Sequence, residues 1–260
     1  MLMPEPLRQC EFRFYEELND FLAPESRKRT FAHYFIGTPS VKDRIEALGV
    51  PHTEVDLVLV DQISVDFAHR LVGGERVTVY PVFERVDITG LTRLRPRPLR
   101  ESSFVLDVHR GRLAGYLRLL GFDTRYRNDF DDTELVEISV SEHRIVLTRD
   151  TGLLKRAAVT HGAFLHETDP RRQLREVLDR FDLHARIAPF TRCAGCNGTL
   201  TTVSWDEARH EVPPGVAERE RDFSRCRNCG HLYWPGSHLS RLRRRLHEVG
   251  VDLGPIPQEA

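Results

Sequence analysis

Four cysteines carry the clearest chemistry in this chain. They fall in two CxxC units, RCAGCNG at 192–198 and RCRNCGH at 225–231. Each unit sets two thiolates at one tight turn, and two such turns complete a tetrahedral shell. Cys193, Cys196, Cys226 and Cys229 therefore read as the ligands of a structural Zn2+, because catalytic zinc keeps an open coordination position. Two redox CxxC pairs are the competing reading. Gly195, Gly198 and Gly230 are expected to permit the turns. The stretch 197–225 between the units is longer than the usual spacing and suits a ribbon with an extended hairpin loop. His231 and His238 are surplus to a four-ligand shell. Cys10 has no neighbouring His or Asp in the sequence and reads as an inert thiol without a partner.

A second chemistry rests on carboxylates. Asp107 closes the apolar run SFVLD, and Asp150 follows the apolar run RIVLT. In parallel α/β sheets, ligands gather just beyond the carboxyl ends of the strands. Acids crowded there raise each other's pKa unless a cation neutralises them, which implies a hard divalent ion, Mg2+ or Mn2+. Asp131 and Asp132 open a helix and offer a third carboxylate; the competing reading of Asp132 is a helix N-cap. Arg110, Arg112 and Arg149 lie beside these acids in sequence, and acids ringed by arginine suit a phosphodiester. Arg118 reads instead as part of a solvated helix face.

The elements that must position these residues follow from periodicity. Alternating apolar residues predict strands over 11–18, 30–37, 54–62 and 75–83, with a helix after Ser40 that Gly49 stops and a turn at Gly73-Gly74. In 30–37, Phe31, His33 and Phe35 share one side, and Tyr34 and Ile36 the other. This is an α+β pattern. The Pro/Arg-rich stretch 93–102 reads as linker. Beyond it, runs at 103–107, 122–126, 144–148 and 162–166 alternate with helical segments at 111–121, 132–142, 150–159 and 170–183. That order implies a largely parallel sheet covered by helices. The expected division is 8–90, a linker at 91–102, a parallel α/β domain at 103–188, and a cysteine ribbon with a basic helix (SRLRRRLHE, 240–248) at 189–250.

FVLDVHRGRLAGYLRLLGFDT, DDTELVEIS, RIVLTRDTGLLKR and the ending CRNCGHLYWPGSH together resemble the Mut7-C ribonuclease family. The resemblance covers about 103–247 and implies a PIN-like nuclease fold joined to a zinc ribbon. By position it makes Asp107, Asp132 and Asp150 the catalytic acids of a metal-assisted RNA hydrolysis. Here the helix after Asp107 reads HRGRLAGYLR, more polar than the family's usual run, with Arg112 at the basic position and Gly115 replacing a basic residue. Segment 10–84 resembles the ubiquitin-like β-grasp domain often placed ahead of Mut7-C. Sulfur carriers need a free C-terminal Gly-Gly. Gly73-Gly74 is internal and followed by a strand, which excludes a carrier role for this segment and leaves protein docking or RNA binding.

The charge balance, 38 Lys+Arg against 39 Asp+Glu, does not by itself mark a nucleic-acid partner. No stretch of about 18 apolar residues is present, and MLMPEPLRQC lacks the apolar core of a signal peptide. A cytoplasmic setting without a membrane partner is expected. Two functions compete: a divalent-metal ribonuclease, and a non-catalytic module binding transfer or ribosomal RNA. Tyr233, Trp234, His238 and the basic helix would serve either by stacking and phosphate contact, as would Arg112 and Arg149. An amphipathic helix packing Leu242 and Leu246 is the plainer reading of 240–248. A haloacid-dehalogenase-type phosphatase needs a second Asp two residues after the strand-end acid, and that position is His109.

Overall fold

The computed structural model describes residues 5–82, 90–94 and 103–252. By compactness the chain forms two units, 1–100 with 148–164, and 101–147 with 165–260. The first holds strands β1 (Leu7–Phe14) and β2 (Phe31–Ile36), helix α1 (Val41–Ala47), and strands β3 (Val55–Val60), β4 (Ile63–Ser64) and β5 (Arg76–Pro81). The sheet order is β2-β1-β5-β3-β4. β1 runs parallel to β5, while the β1–β2, β3–β5 and β3–β4 pairs are antiparallel. This mixed sheet with α1 is the expected β-grasp arrangement.

Period-two alternation builds it. Cys10, Phe12 and Phe14 are buried from β1, and Phe35 from β2, while Tyr34 and Ile36 face outward. The Ser40 hydroxyl accepts from the Asp43 amide and the Asp43 carboxylate from the Ser40 amide, a reciprocal cap. It starts α1 so that Val41 and Ile45 enter the core. The strand expected over 11–18 ends earlier, because Glu16 adopts φ +44 and 16–21 coils into a 3-10 turn that buries Leu18. Gly73 and Gly74 turn at φ +100 and +91. The Glu75 carboxylate accepts the Val72 and Gly73 amides at 2.7 and 2.6 Å. Cys10 is not partnerless: its Sγ lies 3.0 Å from Glu75 Oε2. Burial and that carboxylate push the thiol up to about 12.

The chain then passes through β6 (Phe104–Leu106), α2 (Gly111–Leu119), β7 (Thr124–Arg125), α3 (Asp132–Ser141), β8 (Ile145–Thr148), α4 (Thr151–Leu154), β9 (Gly162–Phe164) and α5 (Pro170–Arg180). The second sheet has the order β7-β6-β8-β9, and β6 pairs in parallel with both β7 and β8. Leu113 and Leu117 of α2 and Leu174, Val177 and Leu178 of α5 are buried, and the two helices pack together. Each fully buried leucine stabilises the fold by roughly 1.5–3 kcal/mol. The helix expected over 150–159 lasts one turn. In the first unit, the Val159 carbonyl is held 2.9 Å from His52 Nε2, and the Phe164 amide donates to Glu54 Oε1 at 2.5 Å. Residues 155–159 therefore turn toward β9 instead of continuing the helix.

Strands β10 (Leu200–Val203), β11 (Phe223–Cys226) and β12 (Leu232–Tyr233) form a three-stranded antiparallel ribbon. The long stretch between β10 and β11 is not a plain hairpin loop. It folds into α6 (Trp205–Ala208) and α7 (Pro214–Arg219). Its small core holds Ala208, Val212 and Phe223, with Trp205 and Trp234 packed against it. Helix α8 (Ser237–His247) follows. No helix among the described residues is long and apolar enough to cross a membrane. The expected linker falls mostly on 95–102, outside the described residues, as does Phe83 of the expected fourth strand.

The ribbon is fastened to the end of α2. The Ala188 and Phe190 amides donate to the Leu120 and Leu119 carbonyls at 2.9 and 3.0 Å. Gly121 turns there at φ +91, and a Cβ on it would meet the Ala188 oxygen at 2.4 Å. Gly121→Ala combines a left-handed backbone with overpacking, so a loss of about 2–5 kcal/mol is expected in urea unfolding.

Candidate metal centre and active-site residues

The two knuckles are shaped by hydrogen bonds from their own backbone. The Cys193 amide donates to the Gly198 carbonyl at 2.7 Å and the Asn197 amide to the Cys193 carbonyl at 2.9 Å. At the second knuckle the Gly230 amide donates to the Cys226 carbonyl, and the Cys226 amide to that of His231, both at 3.0 Å. The left-handed position after the second cysteine of each pair is Asn197 (φ +69) or Gly230 (φ +73). Gly195 and Gly198, expected to make the first turn, do not supply that conformation. Gly198 is needed for space: a Cβ there would lie 2.8 Å from Cys226 Sγ.

Cys193, Cys196, Cys226 and Cys229 bring their sulfurs within 4.8 Å of one another. Sγ separations are 3.7 Å for Cys193–Cys229 and 3.4 Å for Cys196–Cys226. A tetrahedral zinc with Zn–S of about 2.3 Å needs S–S edges of about 3.8 Å, so the four residues fit the ion. The Cys196 amide points at Cys193 Sγ, and the Asn228 amide at Cys226 Sγ, each at 3.4 Å. Among the described residues this is the one group of three or more His, Cys, Asp or Glu side chains whose ligand atoms converge.

Electrostatics at the site favour a cation. Burial works to raise the Cys193 thiol, but hydrogen bonds from the Tyr233 hydroxyl and the Cys196 and Gly195 amides outweigh it and bring the thiol down to about 6. Burial and the neighbouring thiols Cys226, Cys229 and Cys193 push Cys196 up to about 12. Four thiols this close cannot all ionise unaided, and a bound metal ion would release their protons.

The predicted RNA-contact aromatics already have structural work. Tyr233 Oη sits 3.1 Å from Cys193 Sγ, and its ring meets His231 edge-on at 4.8 Å. Trp234 packs on the ribbon core. His238 is on α8, and its side chain lies outside the described residues.

Arg118 is where the structure departs furthest from the sequence reading. It is not solvated: only 4% of it is exposed. Its guanidinium donates to the carbonyls of Thr124 (2.9 Å), Tyr126 (3.3 Å), Ala194 (3.3 Å) and Gly195 (2.7 Å). It thus joins α2 and β7 to the first knuckle. Asn197 adds to this, accepting from the Thr124 amide at 3.0 Å and donating to Asp123 at 2.8 Å. Asp123 also receives Arg144 at 2.7 Å and Arg192 at 3.3 Å.

Each predicted acid has a defined local setting. Asp107 is half-buried, accepts from the His109 amide at 3.1 Å and faces Arg110 at 3.5 Å. Asp132 is exposed as the first residue of α3, yet it is not the cap. Asp131 fills that role, accepting the Thr133 and Glu134 amides, while Glu134 returns the bond to Asp131. Asp150 caps α4, its Oδ1 accepting from Gly152 at 2.7 Å and Leu153 at 3.3 Å. Asp169 likewise caps α5. Asp107 and Asp132 belong to the second unit and Asp150 to the first. Arg112 is exposed on α2, and the Arg149 guanidinium lies 5.6 Å from the centre of the Phe164 ring.

Two family models match. One, described as Mut7-C RNAse domain, covers residues 102–246, and the other, Mut7-C ubiquitin, covers 7–87. No curated protein and no solved structure matches the chain.

Two outcomes are expected. Metal analysis of the purified chain should find one zinc per molecule, and Cys193→Ser should abolish it. The Arg144 and Asn197 bonds hold the Asp123 carboxyl below its usual range against the opposing effect of burial. Its contribution is therefore full above the unfolded pKa of about 3.9 and lost as pH falls through the lower folded value. Asp123→Asn should cost about 1–2 kcal/mol at pH 7, and the gap from wild type should begin to narrow in unfolding curves only below about pH 4.

Proposed function

Because the chain belongs to the Mut7-C RNAse domain family, we propose that it is a ribonuclease whose cleavage of RNA phosphodiesters depends on a divalent cation at Asp107, Asp132 and Asp150. The observation that carries this reading is the parallel register of β6 and β8. Leu106 pairs with Leu147, so the two strands end at one sheet edge. Asp107 is the next residue after Leu106, and Asp150 follows three after Leu147. β7, also parallel to β6, leads toward Asp132. A sheet edge of this kind is where α/β folds bind ligands.

The donor set is all carboxylate oxygen, which suits Mg2+ or Mn2+ and not zinc. Such an ion supplies polarisation of the phosphate and activation of water. The chain's own part is to place the three acids and to meet the phosphates with cations. Arg112 and Arg149 are the nearest candidates in sequence. Arg241, Arg244 and Arg245 on α8 are exposed and would add salt-dependent contact without reading sequence. Reduced cysteines at the zinc centre favour a cytoplasmic setting. The outward Leu7, Tyr34 and Ile36 of the β-grasp sheet support a protein-docking role for that unit.

A non-catalytic RNA-binding module is the second reading. It is favoured by the structural duties that Asp107 and Asp150 already perform, as partner of Arg110 and cap of α4.

The test is cleavage of RNA with Mg2+ or Mn2+ by wild type, Asp107→Asn and Asp150→Asn. Asparagine caps helices about as well as aspartate, so Asp150→Asn should fold. Each variant is expected to lose about 100-fold or more in rate, the scale of several kcal/mol of lost charge stabilisation. Cleavage that persists in both variants, or in excess EDTA, would sink the assignment. RNA retention without any cleavage by wild type would establish the binding module.

A further inference from the structure

Arg118 is buried without a carboxylate among its hydrogen-bond partners in the described residues; all four bonds go to backbone carbonyls. Burying a guanidinium this way is costly unless negative charge lies close by. Two negative groups lie close by, the cysteine centre and the Asp123 carboxylate, and only the first is reached through a hydrogen-bonded peptide of the knuckle itself. One Zn2+ with four thiolates carries a net charge of minus two, and the Arg118 guanidinium bonds both carbonyls between Cys193 and Cys196, those of Ala194 and Gly195.

The connection is direct. The Gly195 carbonyl, which takes the shortest Arg118 bond at 2.7 Å, and the Cys196 amide belong to the same peptide group. That amide points at Cys193 Sγ, 3.4 Å away. A cation on the oxygen of a peptide polarises its N–H, and hydrogen bonds in series strengthen one another at low dielectric. We propose that Arg118 is the counter-charge of the metal centre and acts through the Gly195–Cys196 peptide to stabilise the Cys193 thiolate. It is a positioning residue that tunes how firmly the metal is held. It also makes α2, the helix that follows Asp107, part of the surroundings of the zinc.

The role concerns the zinc centre and does not depend on RNA cleavage. Asn197 provides the control, because it ties the same knuckle to Thr124 and Asp123 without bringing a charge. Full-length wild type, Arg118→Met and Asn197→Ala are compared by zinc release to a chromogenic chelator and by the absorption of the cobalt-substituted protein. Arg118→Met should release zinc about 10–100-fold faster, the usual effect of losing an outer partner. Its thiolate-to-cobalt charge-transfer band should move to lower energy, because an unstabilised thiolate gives up charge more readily. Asn197→Ala should speed release without moving the band. If Arg118→Met does not fold, Arg118→Lys is read by the same criteria, with a smaller band shift expected because the charge remains and the paired carbonyl contacts do not. An unchanged band and release rate in the Arg118 variant, or an equal band shift in Asn197→Ala, overturns the proposal. Wild type that holds no zinc would defeat the metal centre itself, a separate outcome.

Discussion

The second unit has to hold a knuckle of thiols against a helix of the α/β core, and Arg118 meets that constraint from the middle of α2. Its planar donor fork reaches carbonyls of β7, of Tyr126 just beyond it, and of the Cys193–Cys196 turn. Lysine would bring the charge as a point, without the geometry to bridge three segments. Around it, Asp123 gathers Arg144, Arg192 and Asn197. The ribbon is therefore a continuation of the α/β core, fastened by polar contacts that are satisfied only when both parts are folded.

The arrangement keeps two kinds of donor apart. The cysteine centre is soft and converged, and four protein ligands would fill a zinc shell there, adding stability and leaving no position for substrate. The acids are hard donors spread along a sheet edge. Their local bonds differ. Asp150 is fixed by two amides at the start of α4, Asp107 is held near Arg110, and the capping of α3 falls to Asp131 and not to Asp132.

The first unit adds a different lesson about packing. Buried Glu54 and His52 take up the Phe164 amide and the Val159 carbonyl. In this way the β-grasp sheet and the segment 148–164, which carries Arg149 and Asp150, share one compact unit. The Gly73-Gly74 turn is likewise internal to the sheet, pinned by Glu75 between β4 and β5.

The sequence by itself determined whatever depends on residue type and short spacing. Two CxxC pairs announce four converging thiols because a pair at one turn needs no distant information. Alternation placed Phe12 and Phe14, Ser40 announced α1, and the apolar runs before Asp107 and Asp150 marked two neighbouring parallel strands. Tertiary structure decided what depends on partners far along the chain. Arg118 looks like a surface residue until the carbonyls of Ala194 and Gly195 arrive to receive it. Cys10 looks idle until Glu75 folds beside it, and 155–159 looks helical until His52 claims the Val159 carbonyl. In each case a buried polar group must find a partner, and local periodicity holds no record of where that partner lies.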